Sequence, residues 1–351
     1  MKRILISIIL ISIILLSVLI VHASAVEFTA PVVPDAGQAY MPEENETFAQ
    51  GLLYIIKSSI SVLRPEVSKA AAICFSIIVA VFLLSILQTL SKESTNVIRL
   101  VGAIIIGLLM MESIDSFIRL GISTVEKLSD YGKLLLPVMT SALAAQGGTT
   151  SSAAIYAGTI FFDTVLSALI NKIAVPILYI FLCFSVAECA AEQEILKKIR
   201  NFTKWLMTWS LKIVLYIFTG YISITGVISG AVDLSALKAT KLAISGMVPV
   251  VGGVLADASE TILVSASVMK STAGVYGIYA LLALFVSPFL KIGVQYLLLK
   301  LSSAVCSIFG CKPVVDLIQD FSSGMGLILA MTCTVCLLHL ISLVCFMKGI
   351  G

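Results

Sequence analysis

The stretch GMGLILAMTCTVCLLHLISLVCFM, Gly324 to Met347, carries no formally charged side chain. It is longer than the roughly 20 apolar residues that take a helix across a bilayer. Its apolar residues occupy every face of a helix, so lipid or other helices must surround it. Outward from this stretch, the rest of the 351-residue chain reads the same way. Hydrophobic residues make up 59% and charged residues 12%, about half the charged share of a soluble domain. Apolar runs of this kind recur along the sequence. The fold class they predict is all-α: a polytopic helical membrane protein with about eight to ten membrane segments. The bilayer is then an obligatory partner. A net charge of +3 is too small to argue for nucleic acid.

Spans are predicted at Ala70–Leu90, Val97–Met111, Ala153–Ile170, Ile173–Ala190, Trp205–Val232, Ser271–Leu290, Ile292–Phe309 and Gly324–Met347. The N-terminus differs. Lys2 and Arg3 precede the apolar Ile4–Val21, and Ala23-Ser24-Ala25 follows as a small-residue cleavage signal. That order reads as a signal peptide over residues 1–25, cleaved after Ala25, although Ile4–Val21 is also long enough to stay as an anchor. Either way, residues 26–69 are placed outside the cytoplasm as an arm containing Pro31, Pro34 and Pro42. Its start is expected to be flexible, and Phe48–Leu63 has helical periodicity suited to the membrane surface. Residues 70–351 form the polytopic domain.

Ser113–Lys133, Glu192–Lys204 and Lys312–Phe321 read as solvated or interfacial helices between spans. The second holds Lys197, Lys198, Arg200 and Lys204, a basic excess that belongs in the cytoplasm. Placing it there requires one crossing more than the spans above supply, and Lys133–Gly148 is the candidate. That segment is short and contains Pro137. A second short apolar segment lies in KATKLAISGMVPVVGGVLADASET, Lys238 to Thr261, where Gly252-Gly253 follow Pro249. Proline and paired glycines interrupt a helix. Backbone groups freed in hydrocarbon must be buried in protein or line water. A broken or re-entrant hairpin, with Lys238, Lys241, Asp257 and Glu260 at its polar boundary, stands against a kinked helix resting on the interface. A gapless slide of the chain sets Pro137-Val138 on Pro249-Val250, Leu143-Ala144 on Leu255-Ala256 and Pro176 on Pro288. An internal duplication over about 133–232 and 245–347 is one reading, and chance matching of apolar sequence is the other. Many repeat-built transporters place paired broken helices at the substrate site.

The sequence contains no Walker A loop, HExxH helix or GxSxG elbow, and no acid–base–nucleophile set. No catalytic residue, cofactor or metal is therefore expected, and the chain does not read as an enzyme. Cys333 and Cys336 have redox-motif spacing, but a thiolate within an apolar run would be badly desolvated. They read as packing residues, as do most of the eight cysteines. Asp163, Lys212, Lys300 and His339 lie inside predicted spans. Lys212 and Lys300 are long enough to snorkel. Asp163 is not, and it is favoured as a buried polar contact with Lys212 as a candidate partner. His339 reads as a helix–helix hydrogen bonder. Gly226 and Gly230 have GxxxG spacing, for which close helix packing is the default account.

A signal peptide, a short polar arm and a many-span chain containing LKATKLAISGMVPVVGGVLADASETI resemble the stage III sporulation protein AE family of endospore-forming Firmicutes. The resemblance covers essentially the whole chain. Lys238, Lys241, Pro249, Val250, Val251, Gly252, Gly253, Asp257, Ala258 and Glu260 carry it most sharply, and Gly274–Leu301 fits as well. The resemblance implies a multi-pass protein of the mother-cell membrane around the forespore. It implies work within a transport complex that joins the two cells and sustains late forespore gene expression. The partners implied are other membrane and ring-forming proteins of the stage III A complex, a separate secretion-type ATPase and, indirectly, a forespore membrane partner. The absence of nucleotide motifs agrees with a separate ATPase. Three roles stay open: a membrane platform or channel component of that complex, a scaffold that conducts nothing, and an independent secondary transporter. The last would rest on the repeat and on Asp163.

Overall fold

The structure, a computed structural model, describes residues 31–43, 47–90, 95–145, 149–224 and 272–350. Regular structure among these residues is entirely helical. Two short helices, α1 (Asp35–Gln38) and α2 (Phe48–Ser61), precede the long ones. These are α3 (Leu63–Leu90), α4 (Thr95–Ala145), α5 (Thr149–Leu169), α6 (Val175–Ala191), α7 (Glu194–Ile224), α8 (Thr272–Cys306) and α9 (Lys312–Ile350). A π-helical turn, Ile170–Ala174, joins α5 to α6 without a break.

The opening stretch forms most of α9, and α9 is the hub. It packs against α4, α5, α6, α7 and α8, and 94% of its most apolar window is buried inside the protein. That burial answers the all-round apolarity of Gly324–Met347: protein, not lipid, surrounds it. By contrast, only 22% of the corresponding window of α3 is buried, and Phe75, Phe82 and Leu83 face outward. Small residues let neighbours approach α9 closely. Gly121 of α4 faces Ile328, Gly132 faces His339, and Gly324 faces Leu182 and Ile114. The first two contacts advance together along both chains, so α4 and α9 run parallel.

Among the described residues six helical stretches are long and apolar enough to cross a membrane, against the eight spans predicted, and the short segment expected within Lys238–Thr261 lies outside those residues. The difference lies in segments read as separate that are continuous. Val97–Met111, the polar Ser113–Lys133 and Lys133–Gly148 as far as Ala145 are one helix, α4. Its charged middle holds helix, aided by the Asp115–Arg119 pair at 2.8 Å one turn apart. Pro137 and Val138 lie inside α4 rather than in a broken segment. Ala153–Ile170 and Ile173–Ala190 are likewise joined. Pro176 cannot donate to the carbonyl four residues back, and the widened π turn takes up that defect just ahead of it. Ser271–Leu290 and Ile292–Phe309 merge as far as Cys306 in α8, where Lys291 pairs with Glu66 of α3 at 3.7 Å. Glu192–Lys204 and Lys312–Phe321 become, for the most part, the first turns of α7 and α9.

The merging leaves the parity of crossings unchanged. One end of the bundle gathers Arg99 beside Glu192 at 2.7 Å, and Ser85 beside the Phe309 carbonyl at 2.6 Å. Glu192, in the left-handed region at φ 50°, closes the turn from α6 to α7 at that end. The basic start of α7 and the start of α4 therefore share a side with no extra crossing at Lys133–Gly148. The described part of the arm is docked. Tyr40 reaches Ser287 at 3.2 Å, and Gly37 lies against Leu284. The helix expected within Phe48–Leu63 is present as α2. Gln50 accepts from the Thr47 amide at 3.1 Å to start it, and Phe48 stacks on Tyr279 with ring centroids 5.5 Å apart.

Candidate functional site

On α5, Ser152, Thr159 and Asp163 follow one another at spacings that place them on one helix face, and all three are buried. That face meets α9. Thr159 and Ser342 share a hydrogen bond of 2.6 Å, and His339 Nε2 lies 3.1 Å from Asp163 Oδ1. A step back along α5 matches a step forward along α9, so these are neighbouring rungs between antiparallel helices. A carboxylate only accepts, so the His339 nitrogen facing it carries the hydrogen. From α4, Ser129 donates to Asp163 Oδ2 at 2.6 Å and Lys133 Nζ stands 3.6 Å away. Asp163 is 0% exposed and His339 2%, whereas the Lys133 side chain is 44% exposed. The seam thus links a fully buried carboxylate to the protein surface through one lysine.

The sequence builds the seam economically. Ser129 and Lys133 lie one turn apart on α4, and Gly132 between them leaves room for the imidazole. A Cβ on Gly132 would run into the His339 ring. Gly132→Ala is therefore expected to destabilise the chain by about 1–3 kcal/mol through overpacking. That figure is net of the roughly 1 kcal/mol that alanine gains in a helix. Gly220→Ala, where nothing lies within 4 Å, should leave the protein as stable or more so. Thermal midpoints of the purified protein in detergent compare the two.

A second cluster lies toward the turn end. Arg200 of α7 donates to Glu188 of α6 and to Asp320 of α9, the latter at 2.7 Å. Lys204 donates to Ser323 at 2.9 Å. Arg200 is only 7% exposed. One guanidinium thus serves two carboxylates and fastens the α6–α7 hairpin to the hub. A planar fork is suited to that task.

Of the residues singled out from sequence, Asp163 and His339 come together as a helix-to-helix hydrogen bond. Lys212 does not join them, which corrects the suggested Asp163–Lys212 pair. It is exposed on α7, and the shorter reach from α9 and α4 supplies Asp163 instead. Lys300 is exposed on α8, 5.6 Å from the centre of the Tyr296 ring. Cys333 and Cys336 are buried and free, as packing residues would be. Among the described residues no group of three His, Cys, Asp or Glu side chains is placed to hold a metal. Lys238, Lys241, Pro249, Gly252, Gly253, Asp257, Glu260, Gly226 and Gly230, like residues 1–25, lie outside the described residues. Sequence reasoning missed Ser129, Lys133, Glu188, Arg200 and Asp320. A signal for Arg200 was available, because it shares its helix face with buried Met207, Leu211, Leu215 and Phe218.

Comparison with known proteins agrees with the motif reading. Residues 39–349 match the family described as stage III sporulation protein AE. The stage III sporulation protein AE of Bacillus subtilis (strain 168) is 25% identical over 264 residues, which cover 74% of this chain and 66% of that relative. The chain thus spans slightly less than two thirds of the length of the curated relative it matches. No solved structure matches significantly. The match over nearly the whole polytopic region places this chain in the stage III sporulation protein AE family.

Proposed function

We propose that this chain is the membrane platform of the transport complex that joins mother cell and forespore, in the mother-cell membrane around the forespore. On this reading it catalyses no reaction. It offers a fixed membrane base to ring-forming proteins, other small membrane proteins and a separate secretion-type ATPase. The family supports the sporulation role. The observation that favours a platform is the hub: α9 is encased by five helices and fastened to them by two buried polar clusters. Such packing resists deformation. A scaffold without conduction is the second reading. The channel and independent-transporter readings require a path.

The test uses a spore former in which this chain replaces its own family member. Variants loosened at the hub but still inserted, such as Gly132→Ala, are expected to complete engulfment and then lose late forespore gene expression. Partner proteins should be recovered with the parent chain and lost from the variant. Normal late expression and spore yield from a variant with a destabilised hub would count against the platform. Solute flux through liposomes carrying the purified chain alone would replace it with the independent-transporter reading.

A further inference from the structure

Midway along the long helices, exposed charges gather at one level. Tyr179 of α6 donates to Asp115 of α4 at 2.5 Å, and Asp115 pairs with Arg119 one turn away. From Leu84, which lies against Gly102, equal steps along antiparallel α3 and α4 arrive at Glu66 and Leu120, beside Arg119. Glu66 pairs with Lys291 of α8, and Arg64 and Lys69 flank it. From the Glu188–Arg200 contact, equal steps along α6 and α7 arrive at Pro176 and Lys212. Lys172 stands one turn from Pro176. Arg64, Lys69, Arg119, Lys172 and Lys212 are all exposed, and Lys291 is half-buried.

The distance from this girdle to the turn end is the second observation. Roughly 15–24 residues separate it from the ends of α3, α4, α6, α7 and α8, or about 23–36 Å at helical rise. A bilayer's hydrocarbon core is about 30 Å thick. Across that interval each of these helices exposes large apolar side chains: Phe75 and Phe82 on α3, Leu108 on α4, Ile180 on α6, Trp209 on α7 and Leu297 on α8. Lys300 lies less than two turns from the end of α8, within snorkelling reach of the turn-side headgroups.

We propose that the girdle seats the phosphate headgroups of the leaflet on the arm side, so the bilayer occupies only the turn-end storey of the molecule. The rest stands beyond it: α4 past about Leu120, α5, the first half of α8 and the second half of α9. The Asp163–His339 seam then lies outside the hydrocarbon. Six basic side chains at one level match the charge of lipid phosphates. The proposal rests on the helical membrane fold and not on the sporulation role.

Depth measurements on the full chain in phosphatidylethanolamine–phosphatidylglycerol vesicles test it. Single cysteines at Phe82, Leu108 and Leu297 sample the lower storey, and those at Leu134, Phe161 and Thr164 the upper one, in a cysteine-free background. The upper positions are expected to react with a membrane-impermeant maleimide at least ten-fold faster than the lower ones. The same positions are also probed as single tryptophans in the native-cysteine chain carrying Trp205→Phe and Trp209→Phe. Lipids brominated on the acyl chain should quench the lower set and spare the upper set. Equal protection and equal quenching of both sets would overturn the proposal and place the whole helix length in lipid.

Discussion

Arg200→Met is expected to destabilise this protein by about 3–5 kcal/mol, the cost of stripping the partner from buried charge. The geometry explains why the loss is large. Glu188 and Asp320 share the one guanidinium, and their side chains are only 17% and 12% exposed. Without Arg200 the two carboxylates face each other with little water between them. Lys204 is the nearest remaining cation, but it already donates to Ser323. Removing the charges together should therefore recover most of the loss. Arg200→Met combined with Glu188→Gln and Asp320→Asn is expected within about 1–2 kcal/mol of the parent, because no unpaired ion stays buried. Arg200→Lys should fall between, since a point charge cannot fork to two acceptors. Thermal midpoints in detergent give the order. A single Arg200→Met variant as stable as the parent would show that water reaches the cluster freely.

Helix position was legible in the sequence because apolar runs of membrane length have few other fates. The hub was legible in part. Gly324–Met347 is apolar on every face, and that pattern demands surroundings that are apolar on every face, but it does not say whether they are lipid or protein. Neighbouring glycines, such as Gly121 and Gly132, decided for protein. Helix length was not legible. Lys291 and the pair Asn171-Lys172 read as polar breaks between spans, yet a charged residue does not end a helix when a partner or water meets its side chain. Glu66 does this for Lys291. Pro137 read as a break because proline removes one hydrogen bond, whereas Pro176 was read as lying within a span. Each helix runs on, with a π turn ahead of Pro176.

The polar clusters were half legible, for a reason of distance along the chain. Asp163 and His339 were conspicuous as ionisable residues in apolar runs, but 176 positions separate them and no local pattern joins them. Lys212 was closer in sequence and opposite in charge, which made it the natural candidate. Helix direction rejects it, because its face on α7 points outward while Asp163 faces the hub. Arg200 hid in a segment rich in exposed charge, Asp320 in a short amphipathic connector, and Glu188 two residues from the end of a predicted span. The heptad-like series from Arg200 to Met207, Leu211 and Leu215 is what sets Arg200 apart from its neighbours Lys197 and Lys198, which are exposed.

His339→Leu is expected to cost about 2–3 kcal/mol, the hydrogen bond to a charged acceptor together with part of its desolvation. The loss is smaller than at Arg200 because Ser129 and Lys133 continue to serve Asp163. Asp163→Leu should cost a similar amount, about 2–3 kcal/mol, because it leaves the imidazole N–H and the buried Ser129 hydroxyl without their acceptor. The double variant should lie closer to the parent than the sum of the two, a coupling that fails to appear if the ring and the carboxylate merely fill space. Lys133→Met tests the surface end of the seam. Its side chain is nearly half exposed and screened, so the change should stay within about 1 kcal/mol. These four stabilities separate a seam that only fastens α5 to α9 from one that is used. If His339→Gln, which can still donate to Asp163, restores both stability and late forespore expression, fastening is sufficient. If it restores stability but not expression, the imidazole itself acts in the proposed complex, and the buried carboxylate with its lysine outlet becomes the place to look for the moving part.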